Sequence, residues 1–105
     1  MPLEVLENVK LLAFELQKLR DFIGQSIRVN SGYRSPNHNA NIGGSPKSQH
    51  LLGKAADIYV EGMSIGYLHE TIEHLIEEEI LNIKGMGRYN NFIHIDIRDG
   101  KKARW

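Results

Sequence analysis

The chain has 105 residues, enough for one small domain and too few for two. Lys plus Arg is 13 and Asp plus Glu is 13, so the formal net charge is zero. That excludes a nucleic-acid or anionic-membrane binder that works by bulk positive charge. There is no cysteine, which removes disulfide scaffolds, thiolate zinc sites and cysteine nucleophiles. The 41% apolar fraction suits an ordinary globular domain. No apolar run approaches the roughly 18 residues of a membrane span. MPLEVLENVK lacks the basic and apolar regions of a signal peptide, so a soluble, mature chain is expected.

The chain opens on a helix pattern. Val5, Val9, Leu12, Leu16, Leu19 and Ile23 recur every three or four residues on one stripe, with Pro2 suited to the first turn and Gly24 to the stop. Ser26 to Ser31 alternates polar residues with Ile27 and Val29 and predicts a short half-buried strand. Pro36 to Lys47 (PNHNANIGGSPK) reads as a loop with room for one short helical turn. A long irregular loop in so small a domain points to disorder or function. Ala55 to Val60 predicts a second strand. Ser64 is placed to cap a second helix with Ile65, Leu68, Ile72 and Leu75 on its buried stripe. Glu77, Glu78 and Glu79 oppose the helix dipole at its end, which is expected to be frayed or exposed. Phe92 to Ile97 (FIHIDI) has period-two alternation and predicts a strand. Arg98 to Lys101 reads as a turn, with Lys102 to Trp105 expected either to return as a hairpin partner or to contact another molecule. The order predicts a small single α+β domain, residues 1–105, with two main helices and a mostly antiparallel sheet.

Five histidines are present. His38, His69 and His74 read as surface residues. His50 follows the Gly-rich loop, and Asp57 comes seven residues later in an apolar strand, where a buried carboxylate needs a cation or a metal. His94 and Asp96 share one strand face with Phe92 and Arg98; Ile93, Ile95 and Ile97 take the other. The isoleucine face is the core, so the His94 face is a polar surface or a polar cleft. Two histidines and a carboxylate from separate elements make a zinc set with a fourth position open to water. The same residues also suit a solvated histidine and an Asp paired with an Arg.

Ser48-x-His50-x-x-Gly53-x-Ala55-x-Asp57 resembles the first metal motif of the zinc D-alanyl-D-alanine carboxypeptidases and related peptidoglycan peptidases, which share the Hedgehog-type fold. Ser31 to Pro36, Asn39 and Gly43-Gly44 fit the same pattern upstream. Gly85-x-Gly87-x-Tyr89 followed by Phe92-Ile93-His94-Ile95-Asp96 resembles the second metal motif. The joint pattern, from about Ser31 to Asp96, is far more specific than a lone His-to-Asp spacing. The resemblance implies one Zn2+ per chain held by His50, Asp57 and His94. It implies that Arg34 binds a substrate carboxylate or the oxyanion, and that Ser48 and Tyr89 touch substrate; a capping serine, a packing tyrosine and an ion-paired Arg34 are the structural alternatives. Several branches of the family carry a Glu or Asp three residues before the last histidine. Here that residue is Asn91, which cannot act as a general base. Asp96 is the nearest substitute, or else the partner that fixes the His94 ring, the role favoured here.

The expected function is therefore a zinc peptidoglycan peptidase, a D-Ala-D-Ala carboxypeptidase or cross-link endopeptidase acting on stem peptides. Its size and lack of a leader also resemble phage lysis or tail-associated wall hydrolases, made in the cytoplasm and delivered to the wall. The competing expectation is a zinc-containing recognition module without hydrolysis, as the Hedgehog-like relatives suggest.

Overall fold

The computed structural model describes residues 2–45 and 48–105. Helix α1 (Leu3–Ile23) leads to strand β1 (Arg28–Ser31), a short helix α2 (Pro36–Asn41) and a single 3-10 turn (Gln49–Leu52). Strand β2 (Ala55–Tyr59), helix α3 (Ile65–Glu77) and strands β3 (Gly85–Arg88), β4 (Ile93–Asp96) and β5 (Ala103–Arg104) follow. The fold is α+β with two main helices, as expected. The expected loop contains α2 as its one helical turn; its last residues, Pro46 and Lys47, lie outside the described residues.

The local signals act as their chemistry requires. Pro2 stands at the N-cap of α1, and Gly24 closes the helix in the left-handed region at φ 75°, its N–H donating to the Arg20 carbonyl. The Ser64 hydroxyl accepts from the Tyr67 N–H and starts α3. Leu68, Ile72 and Leu75 form the buried face of α3, and Glu77 to Glu79 end it in solvent.

The five strands lie in the order β1-β2-β4-β3-β5. Three neighbouring pairs are antiparallel, while β5 runs parallel to β3. The expected hairpin between β4 and the Lys102–Trp105 segment does not form. Strand β4 already has β2 on one side and β3 on the other, so it has no open edge for a hairpin partner. The chain crosses to β3 instead. The first strand also differs from expectation: it begins at Arg28, and Val29 is 51% exposed. Val29 faces the core side opposite Ile58, but β1 is an edge strand that α1 leaves partly uncovered.

Register gives the sheet two unlike faces. Ala56, Ile58, Met86, Ile93 and Ile95 point into one core with Leu12 and Leu19 of α1 and Leu68, Ile72 and Leu75 of α3. Each fully buried large aliphatic there contributes about 1.5–3 kcal/mol. The opposite face carries Asp57, His94 and Asp96 among Ala55, Gly85 and Gly87. Small neighbours leave room for polar side chains to fold over the sheet. The segment into β2 is pinned under α1 at Gly53, where φ is 71° and a Cβ would lie 2.9 Å from Val5 and Val9. Gly53→Ala combines left-handed strain with overpacking and should destabilise by roughly 2–4 kcal/mol. Urea unfolding checks this; a loss below about 1 kcal/mol would mean that α1 shifts freely.

Candidate functional site

Asp57 on β2 and His94 on β4 are direct partners in register, so the two central strands hold them together. His50 comes from the 3-10 turn, where the Ser48 hydroxyl accepts from the His50 N–H at 3.2 Å. The Arg34 N–H donates to the His50 carbonyl at 3.1 Å and ties this turn to the segment after β1.

His50 Nε2 lies 3.2 Å and His94 Nδ1 3.0 Å from the same Asp57 oxygen, Oδ1. The second nitrogen of each ring is occupied. His50 Nδ1 is 2.8 Å from the Gly32 carbonyl, and His94 Nε2 is 2.8 Å from Asp96 Oδ2. A carbonyl only accepts, so Nδ1 of His50 carries a hydrogen; both His94 nitrogens face carboxylates, with Nε2 the closer to its own. The lone pair of neutral His50 at Nε2 then faces Asp57, and that of His94 at Nδ1 does so in the tautomer protonated at Nε2. One donor atom from each of the three residues lies within 4.8 Å of the others, and all three residues are buried. Donors around a tetrahedral zinc with bonds of about 2.0–2.1 Å stand roughly 3.3 Å apart. The set fits one such ion, and its outer partners orient both rings as metal sites require. The reading of His94 as a solvated surface histidine does not survive this burial.

The residues around the set were only partly anticipated. Arg34 is anchored by Ser31 Oγ at 3.1 Å and Asn39 Oδ1 at 3.3 Å, and its Nη2 lies 3.6 Å from Asp57 Oδ2. It thus lines the cleft and forms the ion pair as well. Ser48 is a cap and also lines the cleft; Tyr89 lines it too and stacks on Phe92 at 4.5 Å. Asp96 is 0% exposed, gripped by Arg98 Nε at 2.8 Å and Nη2 at 2.7 Å. It touches His94 but contributes no surface to the cleft. Asn91 is exposed, and none of His38, His69 and His74 joins the metal group. Sequence reasoning assigned no role to Arg98 or Asn39 and left Trp105 undecided. Strand alternation did place Arg98 on the His94 face. Asn39 carried a motif match, and its side chain is buried between Arg34 and the Ser45 carbonyl. The cleft itself measures about 390 Å³ and is rimmed by Arg34, Gln49, Tyr89, Phe92, Arg98 and Trp105 around the three metal-facing residues.

The family model of Peptidase M15 matches residues 4–96, which contain every one of the metal-facing residues. The chain belongs to the M15 peptidase family. It is similar to the zinc D-Ala-D-Ala carboxypeptidase of Streptomyces albus G, with 32% identity over 95 residues. The match covers 90% of this chain and 37% of that protein, so the chain spans less than two-fifths of its relative's length.

The electrostatics of this M15 site set a proton against the metal. Burial pushes the Asp57 carboxyl up, but the hydrogen bonds and charges of His50 and His94 hold it down to about 2. Burial pulls the His94 imidazole down, and the bonds to Asp57 and Asp96 outweigh it, so the net is above the ordinary 6.5. A metal must displace that proton, so affinity should fall as pH drops through the raised His94 value. In the metal-free fold the sign reverses. The His94 contribution is full below its unfolded value and is lost as pH rises through the folded one. Thermal unfolding from about pH 6 to pH 9 should show the metal-free protein losing stability while the metal-loaded protein gains it relative to the metal-free form. Parallel trends would contradict the ligand assignment.

Proposed function

We propose that this chain is a zinc metallopeptidase that hydrolyses a peptide bond involving D-alanine in peptidoglycan stem peptides. The observation that carries the reading is the convergence of His50 Nε2 and His94 Nδ1 on Asp57, with both opposite ring nitrogens already bonded. The zinc named for the Streptomyces albus G relative suits that donor set. Zinc held there supplies Lewis acidity, polarising a carbonyl oxygen and acidifying a water near neutral pH.

The chain's own residues supply the rest. Ser31 and Asn39 fix the Arg34 guanidinium beside the metal-facing carboxylate, where its permanent charge can hold developing negative charge or a terminal carboxylate. Asp96 keeps the His94 ring in the tautomer that leaves Nδ1 bare, and Arg98 keeps Asp96 ionised. Asp96 therefore acts through His94 and not on substrate. Tyr89 stands at the rim, where a peptide enters.

A second reading, a zinc-bearing recognition module, has one observation in its favour. Asp57 is the only carboxylate among the described residues that line the cleft, and it belongs to the metal set. Mass spectrometry of muropeptides incubated with zinc-loaded protein separates the two. Loss of a terminal D-alanine, or splitting of a cross-linked dimer, blocked by a chelator, is expected for the peptidase and identifies the bond. Binding without any product, from protein that holds one zinc per chain, would overturn it for the recognition module.

A further inference from the structure

The cleft has a wall for which neither the metal set nor Arg34 accounts. It is built from Trp105, the single tryptophan of the chain. The parallel pairing of β5 with β3 delivers it: the Trp105 N–H donates to the Met86 carbonyl at 3.1 Å, and the Arg88 N–H donates to the Trp105 carbonyl at 2.8 Å. The indole lies over Gly87, which is directly opposite His94 in register; a Cβ on Gly87 would overlap the ring. The ring centroid is 5.0 Å from that of His94, at a tilt of 47°. Its Nε1–H donates to the Tyr89 hydroxyl at 2.8 Å, and the Arg98 guanidinium sits 5.3 Å from the ring.

The indole is thus fixed, with its one polar atom satisfied, yet it stays 48% exposed in the cleft. A clamped aromatic that leaves apolar area in water beside a reactive centre gains free energy when a ligand covers it. Arg34, bonded to Ser31 at the end of β1, lies on the β1 side of the metal-facing residues, and Trp105, bonded to β3, lies on the β3 side. One side therefore offers charge and the other an apolar plane. Resting on the peptidase reading above, we infer that Trp105 is a substrate-positioning residue: its indole packs against the aliphatic side chain of the stem-peptide residue beside the scissile bond, while Arg34 takes the polar end. Gly87 serves the same purpose by leaving space for the ring.

The single tryptophan makes emission a direct reading of this wall. Zinc-loaded protein is mixed in stopped flow with a stem pentapeptide ending in D-Ala-D-Ala while Trp105 emission is followed, and turnover is measured in parallel. A saturable emission change is expected. Trp105→Ala should keep wild-type zinc content and raise KM about 10-fold or more, with kcat changed much less; Trp105→Phe should recover part of the loss. Gly87→Ala displaces the indole without deleting it and should reproduce the rise in KM. Turnover with no emission change, or wild-type KM in both Trp105→Ala and Gly87→Ala, overturns the wall and leaves the peptidase reading intact. An emission change without turnover overturns the peptidase reading and keeps Trp105 only as a peptide-contacting wall with no scissile bond beside it. Neither signal overturns both.

Discussion

Asp57→Asn should yield a folded protein that no longer retains a divalent ion through dialysis and has only background turnover. Asp57 is the one anionic member of the metal set and the meeting point of His50, His94 and Arg34. Its carboxyl, held down to about 2, is ionised at any pH at which the protein would work. Loss of an outer partner of a metal site costs 10–100-fold in affinity, so loss of the charged ligand itself should cost at least about 100-fold. Asn keeps the shape, so the fold should lose only about 1–3 kcal/mol from weakened buried hydrogen bonds. Elemental analysis after dialysis gives the decisive number. One ion per chain in the variant would place the metal elsewhere.

A large effect on stability is also expected from Arg98→Met, outside the metal set. Asp96 has no exposure at all, and Arg98 grips both its oxygens while donating its own N–H to Oδ1 at 3.2 Å. Removing the cation leaves a buried carboxylate with His94 as its remaining side-chain partner. Breaking such a pair costs about 3 kcal/mol, the low end of the usual range, because the Arg98 side chain is 27% exposed. The pH dependence carries a sign. Burial pushes the Asp96 carboxyl up, but Arg98 and His94 outweigh it and hold it well below the usual carboxylate range. That contribution is present above the unfolded carboxylate value and is lost only as pH falls through the depressed folded one. The variant should therefore unfold at a higher pH than wild type in an acid titration followed by circular dichroism. Coincident acid transitions, with unchanged urea midpoints at neutral pH, would show that Asp96 is solvated after all.

What could be read from the residues follows a physical division. Local chemistry was legible: the Ser64 cap, the α3 stripe, and the polar and apolar faces of Ile93–Asp96 all depend on neighbours in sequence. The grouping of His50, Asp57 and His94, which could hold a metal, was legible because ligand types and the spacing of the family motifs survive without coordinates. The fate of Lys102–Trp105 was not, since it depends on which strand still has an open edge, and that is decided by pairings among distant segments. Full burial of Asp96 was hidden for a similar reason. Alternation says which face a side chain takes, but not that Arg98 will fold back over it or that Gly85 leaves the space. The exposure of Val29 reflects where α1 ends its coverage, which no pattern within β1 encodes.

The three metal-facing residues stand on backbone of unequal permanence. Asp57 and His94 lie in paired interior strands, whose amides should exchange with solvent deuterium only on global unfolding. His50 rides a four-residue 3-10 turn held by a few loop hydrogen bonds, and its amide should exchange through local opening. An ion bridging the two would fasten the more labile segment to the most persistent part of the sheet. Ion release would then begin as an opening of the His50 turn, with the strand pair still closed behind it.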